Sequence, residues 1–165
     1  MNKKWLYLFV LLIVVAIVSV RIYQVNVSAF TYKDTIHSLN DQFKSKGYSF
    51  KVKKVYEMSE AEVNKQKKAN PTLFIETSDT VLSVNLTVKK ISKTDEKLVI
   101  GQFQLNKGAF IRYADNSLIQ TKNNGNYTLN FIVPKEVVHS KGPFYLALPI
   151  GMWQKEKRDL VKFNF

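Results

Sequence analysis

Cysteine is absent from the 165 residues, which excludes disulfide frameworks, thiolate metal sites, cysteine nucleophiles and a lipid-modified N-terminal cysteine together. Small secreted animal domains are commonly cross-linked, so an exported chain with no cysteine points to a bacterium that keeps thiols out of its envelope. Histidine is scarce, with 2 residues in all. A nucleophile–histidine–acid relay could draw only on His37 and His139, and His139 precedes Ser140 in a Lys-Gly-Pro loop, where chain neighbours do not supply the required geometry. The carboxylate pairs Glu60 with Glu62 and Asp95 with Glu96 lie in polar turns without an apolar pocket to raise a pKa. Metal-ligand spacing and Gly-rich phosphate loops are missing too. The expectation is a protein that is not an enzyme, with no cofactor and no metal.

Acidic residues are also few, 13 against 25 basic ones, for a formal net charge of +12. Lys3, Lys4 and Arg21 account for little of that excess, so the bulk of the chain expects anionic surroundings. Outside a cell these are lipid head groups and wall polymers rather than nucleic acid. Charge spread evenly over all faces for solubility is the plainer alternative.

The longest run without a charged residue is Trp5 to Val20 (WLYLFVLLIVVAIVSV), which rises roughly 24 Å as a helix. A hydrocarbon core is about 30 Å thick, and Ile22, Tyr23 and a snorkelling Arg21 extend the span. Trp5 and Tyr7 suit a membrane interface, and Lys3 and Lys4 favour a cytoplasmic N-terminus. The reading is a cytoplasmic tail over 1–4, a transmembrane signal anchor over 5–23 and an exported remainder. A cleaved signal peptide is the competitor, because Val27-Ser28-Ala29 fits a cleavage site after Ala29.

Beyond the anchor, Ile36, Leu39 and Phe43 stand at helical spacing before Gly47, predicting a stalk or short amphipathic helix within 24–47. Tyr48 to Tyr56 alternates apolar and polar residues until Val55 shifts the phase, as a first strand would. Met58 to Pro71 is a polar insertion in which Ser59 and Glu62 are spaced as a capping box. Thr80 to Ile91 (TVLSVNLTVKKI) has the clearest alternation, with Leu82, Val84, Leu86 and Val88 on one face. Further strands are predicted over Lys97–Gln104, Ala109–Tyr113, Leu118–Thr121, Tyr127–Val133, Phe144–Ile150 and Asp159–Phe165. Turns fall at Asn106-Lys107-Gly108 and at Asn123–Asn126 (NNGN), and Pro134 closes a strand. About seven or eight short strands with frequent turns predict an all-β, immunoglobulin-like antiparallel β-sandwich over 48–165.

Three stretches, Thr80–Ile91, Ile100–Gly108 (IGQFQLNKG) and Tyr127–Val133 with Pro134, resemble the small immunoglobulin-like domains of unknown function in exported and anchored proteins of Gram-positive bacteria. The resemblance spans Gly47 to Phe165, apart from the insertion. It implies a sandwich outside the cytoplasm and transfers no functional residue, because such domains share no site.

Two basic clusters are candidates for contact with a protein partner or an anionic envelope polymer. One is Lys65, Lys67 and Lys68 in the insertion, which reads equally as a solvated face. The other is Trp153 with Lys155, Lys157 and Arg158, where the indole could instead plug the end of the sandwich. Phe110, Tyr113, Tyr127 and Phe131 could form a stacking platform on adjacent strands, or simply pack the core. These readings predict a binding module in the cell membrane. The alternatives are a structural accessory of a transport or secretion complex, and a secreted ligand-binder.

Overall fold

The computed structural model describes Phe9 and residues 12–23, 33–122, 125–154 and 157–165. The predicted tail 1–4, parts of the predicted span 5–23, the cleavage site after Ala29, Asn123, Asn124 and Lys155 lie outside the described residues. Residues 12–23 form a helix, α1, in which every residue is exposed. Among the described residues no helix is long and apolar enough to cross a membrane. Residues 34–165 form a separate compact unit.

Ten strands build that unit: β1 (Lys33–His37), β2 (Gln42–Ser45), β3 (Tyr48–Glu57), β4 (Asp79–Lys90), β5 (Gln104–Lys107), β6 (Phe110–Tyr113), β7 (Gln120–Lys122), β8 (Asn126–Pro134), β9 (Phe144–Ala147) and β10 (Lys157–Phe163). They form two five-stranded sheets, ordered β1-β10-β9-β5-β6 and β2-β3-β4-β8-β7. Two helices join them, α2 (Glu60–Ala69) between β3 and β4 and α3 (Lys135–His139) between β8 and β9. The fold is an all-β sandwich.

Alternation along each strand sets the interior. Leu82, Val84, Leu86 and Val88 of β4 meet Phe50 and Val52 of β3, Leu129 and Phe131 of β8, and Phe144, Leu146, Val161 and Phe163 from the other sheet in one core. Each fully buried Phe or Leu contributes roughly 1.5–3 kcal/mol. The outward residues Val81 and Ile132 lie opposite each other in register. They join Met58, Ile75 and Leu118 in a second, smaller cluster, with Val63 of α2 and Leu73 packed against it. The insertion therefore covers part of the outer face of β4 and β8.

The phase break at Val55 is a β-bulge. Val52 pairs with Leu86 and Lys54 with Asn85, which leaves Lys53 as the extra residue and keeps both Val52 and Val55 on the inner side. The capping box is present, with the Ser59 side chain accepting from the Glu62 N–H and the Glu62 carboxylate accepting from the Ser59 N–H.

Several predicted elements need correction. No helix forms over the stretch containing Ile36, Leu39 and Phe43; its described part makes β1 and β2. Phe43 reaches the core by strand alternation, opposite Phe50, while Ile36 is exposed, so their spacing was not that of a helical face. Asn40, Lys46 and Gly47 have positive φ of 71°, 41° and 80° and make the two reversals. The strand predicted over Lys97–Gln104 is a 3-10 turn at Ile100–Gln102 followed by β5. Asn106 and Lys107 belong to β5, and the turn begins at Gly108, with φ of 57°. Leu118 closes another 3-10 turn before β7, and α3 follows Pro134 unannounced.

Candidate anionic-polymer interface

The two predicted basic clusters stand at opposite ends of the sandwich. α2, carrying Lys65, Lys67 and Lys68, precedes β4 at Asp79. The segment of Trp153 lies at the other end, because the Ser45 hydroxyl donates to the Met152 carbonyl at 2.8 Å, Ser45 pairs with Tyr48 and Tyr48 with Lys90. Between them run the 12 residues of β4, about 35–40 Å at ~3.3 Å each. Lys65 and Lys68 are exposed. Half-buried Lys67 shares a depression with Glu60, Glu76 and Asp79, so carboxylates surround the basic run. Trp153 is half-buried, and its Nε1–H donates to the Leu148 carbonyl at 2.9 Å. The Arg158 guanidinium stands 5.7 Å from the indole centroid and donates twice to the Asp34 carboxylate, at 2.8 and 2.9 Å. Lys157 is exposed.

The aromatic platform does not form. Phe131 lies in the core, fully buried, and β6, which carries Phe110 and Tyr113, belongs to the sheet opposite β8. His37 is engaged with Asp159 at 2.9 Å and stacks on Phe43 with ring centroids 3.8 Å apart. His139 ends α3, exposed, and the Ser140 hydroxyl beside it donates to the Val137 carbonyl. Among the described residues no group of three or more His, Cys, Asp or Glu could hold a metal.

A different surface gathers positive charge. With Phe43, Phe50, Val52, Leu86 and Val88 turned into the core, their neighbours project from the outer face of β2, β3 and β4: Lys44, Lys51, Lys53 and Lys89, interspersed with Ser49 and Thr87. Register unites them, pairing Lys44 with Ser49 and Gln42 with Lys51, then Ser49 with Lys89 and Lys51 with Thr87, then Thr87 with Asn126. Side-chain bonds knit the floor. Gln42 Nε2 donates to Ser49 Oγ at 2.9 Å, Thr87 Oγ1 to Asn126 Oδ1 at 2.7 Å and Thr128 Oγ1 to Asn85 Oδ1 at 3.0 Å. The bulged Lys53 reaches across to Asn126 Oδ1 at 3.2 Å. The result is a depression of about 290 Å³ lined by Ser49, Lys51, Lys53, Thr87 and Lys89 among others.

No Asp or Glu stands on these stretches of β2, β3, β4 and β8, and none of the four lysines is ion-paired with a described residue. The sequence carried only half the signal. Ser49, Lys51 and Lys53 read as the wet side of one strand, and Asn85, Thr87 and Lys89 as the wet side of another. Only register makes them one surface.

One further lysine is buried. Lys107, 8% exposed, donates to the carbonyls of Val138 at 3.2 Å and Ser140 at 2.8 Å. Its ammonium sits 4.3 Å from the Phe144 ring centroid. It caps the C-terminal end of α3, where carbonyls lack helical partners. Desolvation pushes its pKa below the ordinary lysine value.

No family model matches the chain, and no curated protein matches it in sequence. Among solved structures it is similar to an uncharacterized β-sandwich protein from Clostridium difficile 630, with a TM-score of 0.49 and 10% sequence identity, over 81% of this chain and 96% of that one. A likeness so slight transfers no property.

Proposed function

We propose that this chain is a membrane-anchored, extracytoplasmic and non-enzymatic binding module of a Gram-positive bacterium, whose immunoglobulin-like sandwich contacts an anionic polymer of the envelope. The observation that carries the reading is the lysine face: four ammonium groups on one sheet surface with no carboxylate among them. Like charges so placed repel one another unless an anion joins them.

The anchor is supported by α1, whose apolar residues are exposed on every side, a pattern that fits a helix surrounded by lipid. The immunoglobulin-like reading is supported by strand order. β3-β4-β8-β7 opposite β5-β9-β10 follows the A-B-E-D and C-F-G arrangement. A protein partner at the same face is the nearest alternative. In a structural accessory of a transport or secretion complex, replacing Trp5 to Ile22 with an unrelated membrane helix would abolish function while the sandwich stayed intact.

Expression in a Gram-positive host tests location. Full-length mass in the membrane fraction is expected, and a mass starting at Phe30 in the medium would make the protein a secreted ligand-binder. Binding of the full chain to envelope polymer should weaken with salt. Lys51→Gln, Lys53→Gln and Lys89→Gln together should flatten the logarithmic salt slope by about 2, at ~0.7 per contact. An unchanged slope would sink the assignment of the face.

A further inference from the structure

We infer that the depression on the lysine face seats one phosphodiester group of a linear poly(polyol phosphate) chain, which runs along β3 and β4. This rests on the anionic-polymer reading and names the polymer's chemistry. Ser49 lies on the floor of the depression, 4% exposed. Its Oγ accepts from Gln42 Nε2 at 2.9 Å. The same hydroxyl can donate to a ligand oxygen that enters the depression.

Above this floor donor stand Lys51 and Lys89, diagonal neighbours across β3 and β4, with Lys53 at the far side. Donors therefore converge from below and from the rim. A tetrahedral phosphate presents oxygens in several directions to such an arrangement, whereas a planar carboxylate presents two in one plane.

The rest of the face decides what the phosphates are strung on. Its outward side chains are hydroxyls, amides and lysines: Gln42, Asn85, Thr87, Asn126 and Thr128 beside the ammonium groups. These suit the hydroxyls of a polyol. Around the depression no aromatic side chain points outward: Phe43 and Phe50 lie in the core, Tyr127 packs against it, and Tyr56, farther along β3, packs against the outer cluster beside α2. A nucleic acid strand would find no platform for its bases. Lys51 and Lys53, two residues apart on β3, repeat the charge about every 6–7 Å along the strand, which suits a chain carrying one charge per repeat. The source is the polymer rather than a bilayer surface, because Ser49 is reached only from within the depression, and a flat layer of head groups would stop at its rim.

The test uses the full chain in phosphatidylcholine nanodiscs and four probes: poly(glycerol phosphate), polygalacturonate, an oligodeoxythymidylate, and vesicles containing phosphatidylglycerol. Poly(glycerol phosphate) should bind at least about tenfold more tightly than the other three. Ser49→Ala should weaken it by about tenfold, the worth of one hydrogen bond to a charged group, and leave polygalacturonate unchanged. Lys51→Gln with Lys89→Gln should remove binding, whereas Lys65→Gln, Lys67→Gln and Lys68→Gln together should not. Equal affinity for polygalacturonate, or no effect of Ser49→Ala in a protein that melts like the parent, overturns the phosphate assignment alone. Tighter binding of the oligonucleotide or of the vesicles overturns the polyol chain as ligand. Failure of all four probes overturns the anionic-polymer reading itself.

Discussion

Replacing Lys107 with methionine keeps the length of the side chain and its packing on Phe144 but removes the charge and both hydrogen bonds. The Val138 and Ser140 carbonyls then lose their donor at the end of α3. Val138 is itself buried, at 1% exposure, so water does not readily take over. Hydrogen bonds to a charged group contribute roughly 1.5–3 kcal/mol each. Part of that is returned, because an ammonium no longer has to be desolvated. The expected net loss is about 2 kcal/mol, or roughly 6–10 °C in Tm for a domain of this size.

The difference should also depend on pH. Burial holds the folded pKa of Lys107 below its ordinary 10.5, so between the two values the unfolded chain binds more protons than the folded one. The pH-dependent part of this group's stability therefore rises with pH across that window and is absent below it, on top of the hydrogen-bonding contribution. Lys107→Met lacks the rise, so its deficit should widen as pH climbs toward 10.5. Urea unfolding of both proteins at neutral and alkaline pH, followed by circular dichroism, measures this directly. A deficit under ~0.5 kcal/mol, the scatter of ordinary surface substitutions, or one that narrows with pH, would refute the account of a desolvated cap.

Two other expectations concern turns and caps. A Cβ on Gly125, where φ is +71°, would lie 2.1 Å from the Val88 carbonyl oxygen, whereas one on Gly108 would meet nothing within 4 Å. Gly108→Ala should cost about 1 kcal/mol from its left-handed backbone alone and Gly125→Ala clearly more; equal Tm losses would contradict the close approach. The pKa of Glu62 is lowered chiefly by the Ser59 backbone N–H and then by the Ser59 hydroxyl. Its folded value lies below the unfolded one, so its contribution is full above 4.5 and disappears as pH falls through the lowered value. Amide exchange in α2 should accelerate over that range in the parent and show no such step in Glu62→Gln.

Much of the sandwich is legible in the chain because β4 and β8 each bury a regular alternation, and the bulge announces itself as a change of phase before Val55. The capping box is legible for a similar reason, being local chemistry between Ser59 and Glu62. Elements stabilised from a distance are not. Ile36, Leu39 and Phe43 mimic a helical face, yet Phe43 is fixed by Phe50 across the sheet and Ser45 by the Met152 carbonyl. Val99 and Ile100 read as strand residues but lead into a 3-10 turn before β5. The lysine face escapes sequence reading because it belongs to no single strand. Only the register of β2, β3 and β4 brings Lys44, Lys51, Lys53 and Lys89 to one surface, while the visible run at Lys65 to Lys68 lies among acids at the other end.

β1 has a mechanical consequence. It is an edge strand with one neighbour, β10; four of its five residues are exposed, and its side chains are held by the Asp34–Arg158 ion pair, the His37–Asp159 hydrogen bond and the stack of His37 on Phe43. Tension arriving from the N-terminal side loads these contacts before any strand of the core. The other nine strands each keep a neighbour without β1, so β1 is the strand whose detachment disturbs the sandwich least.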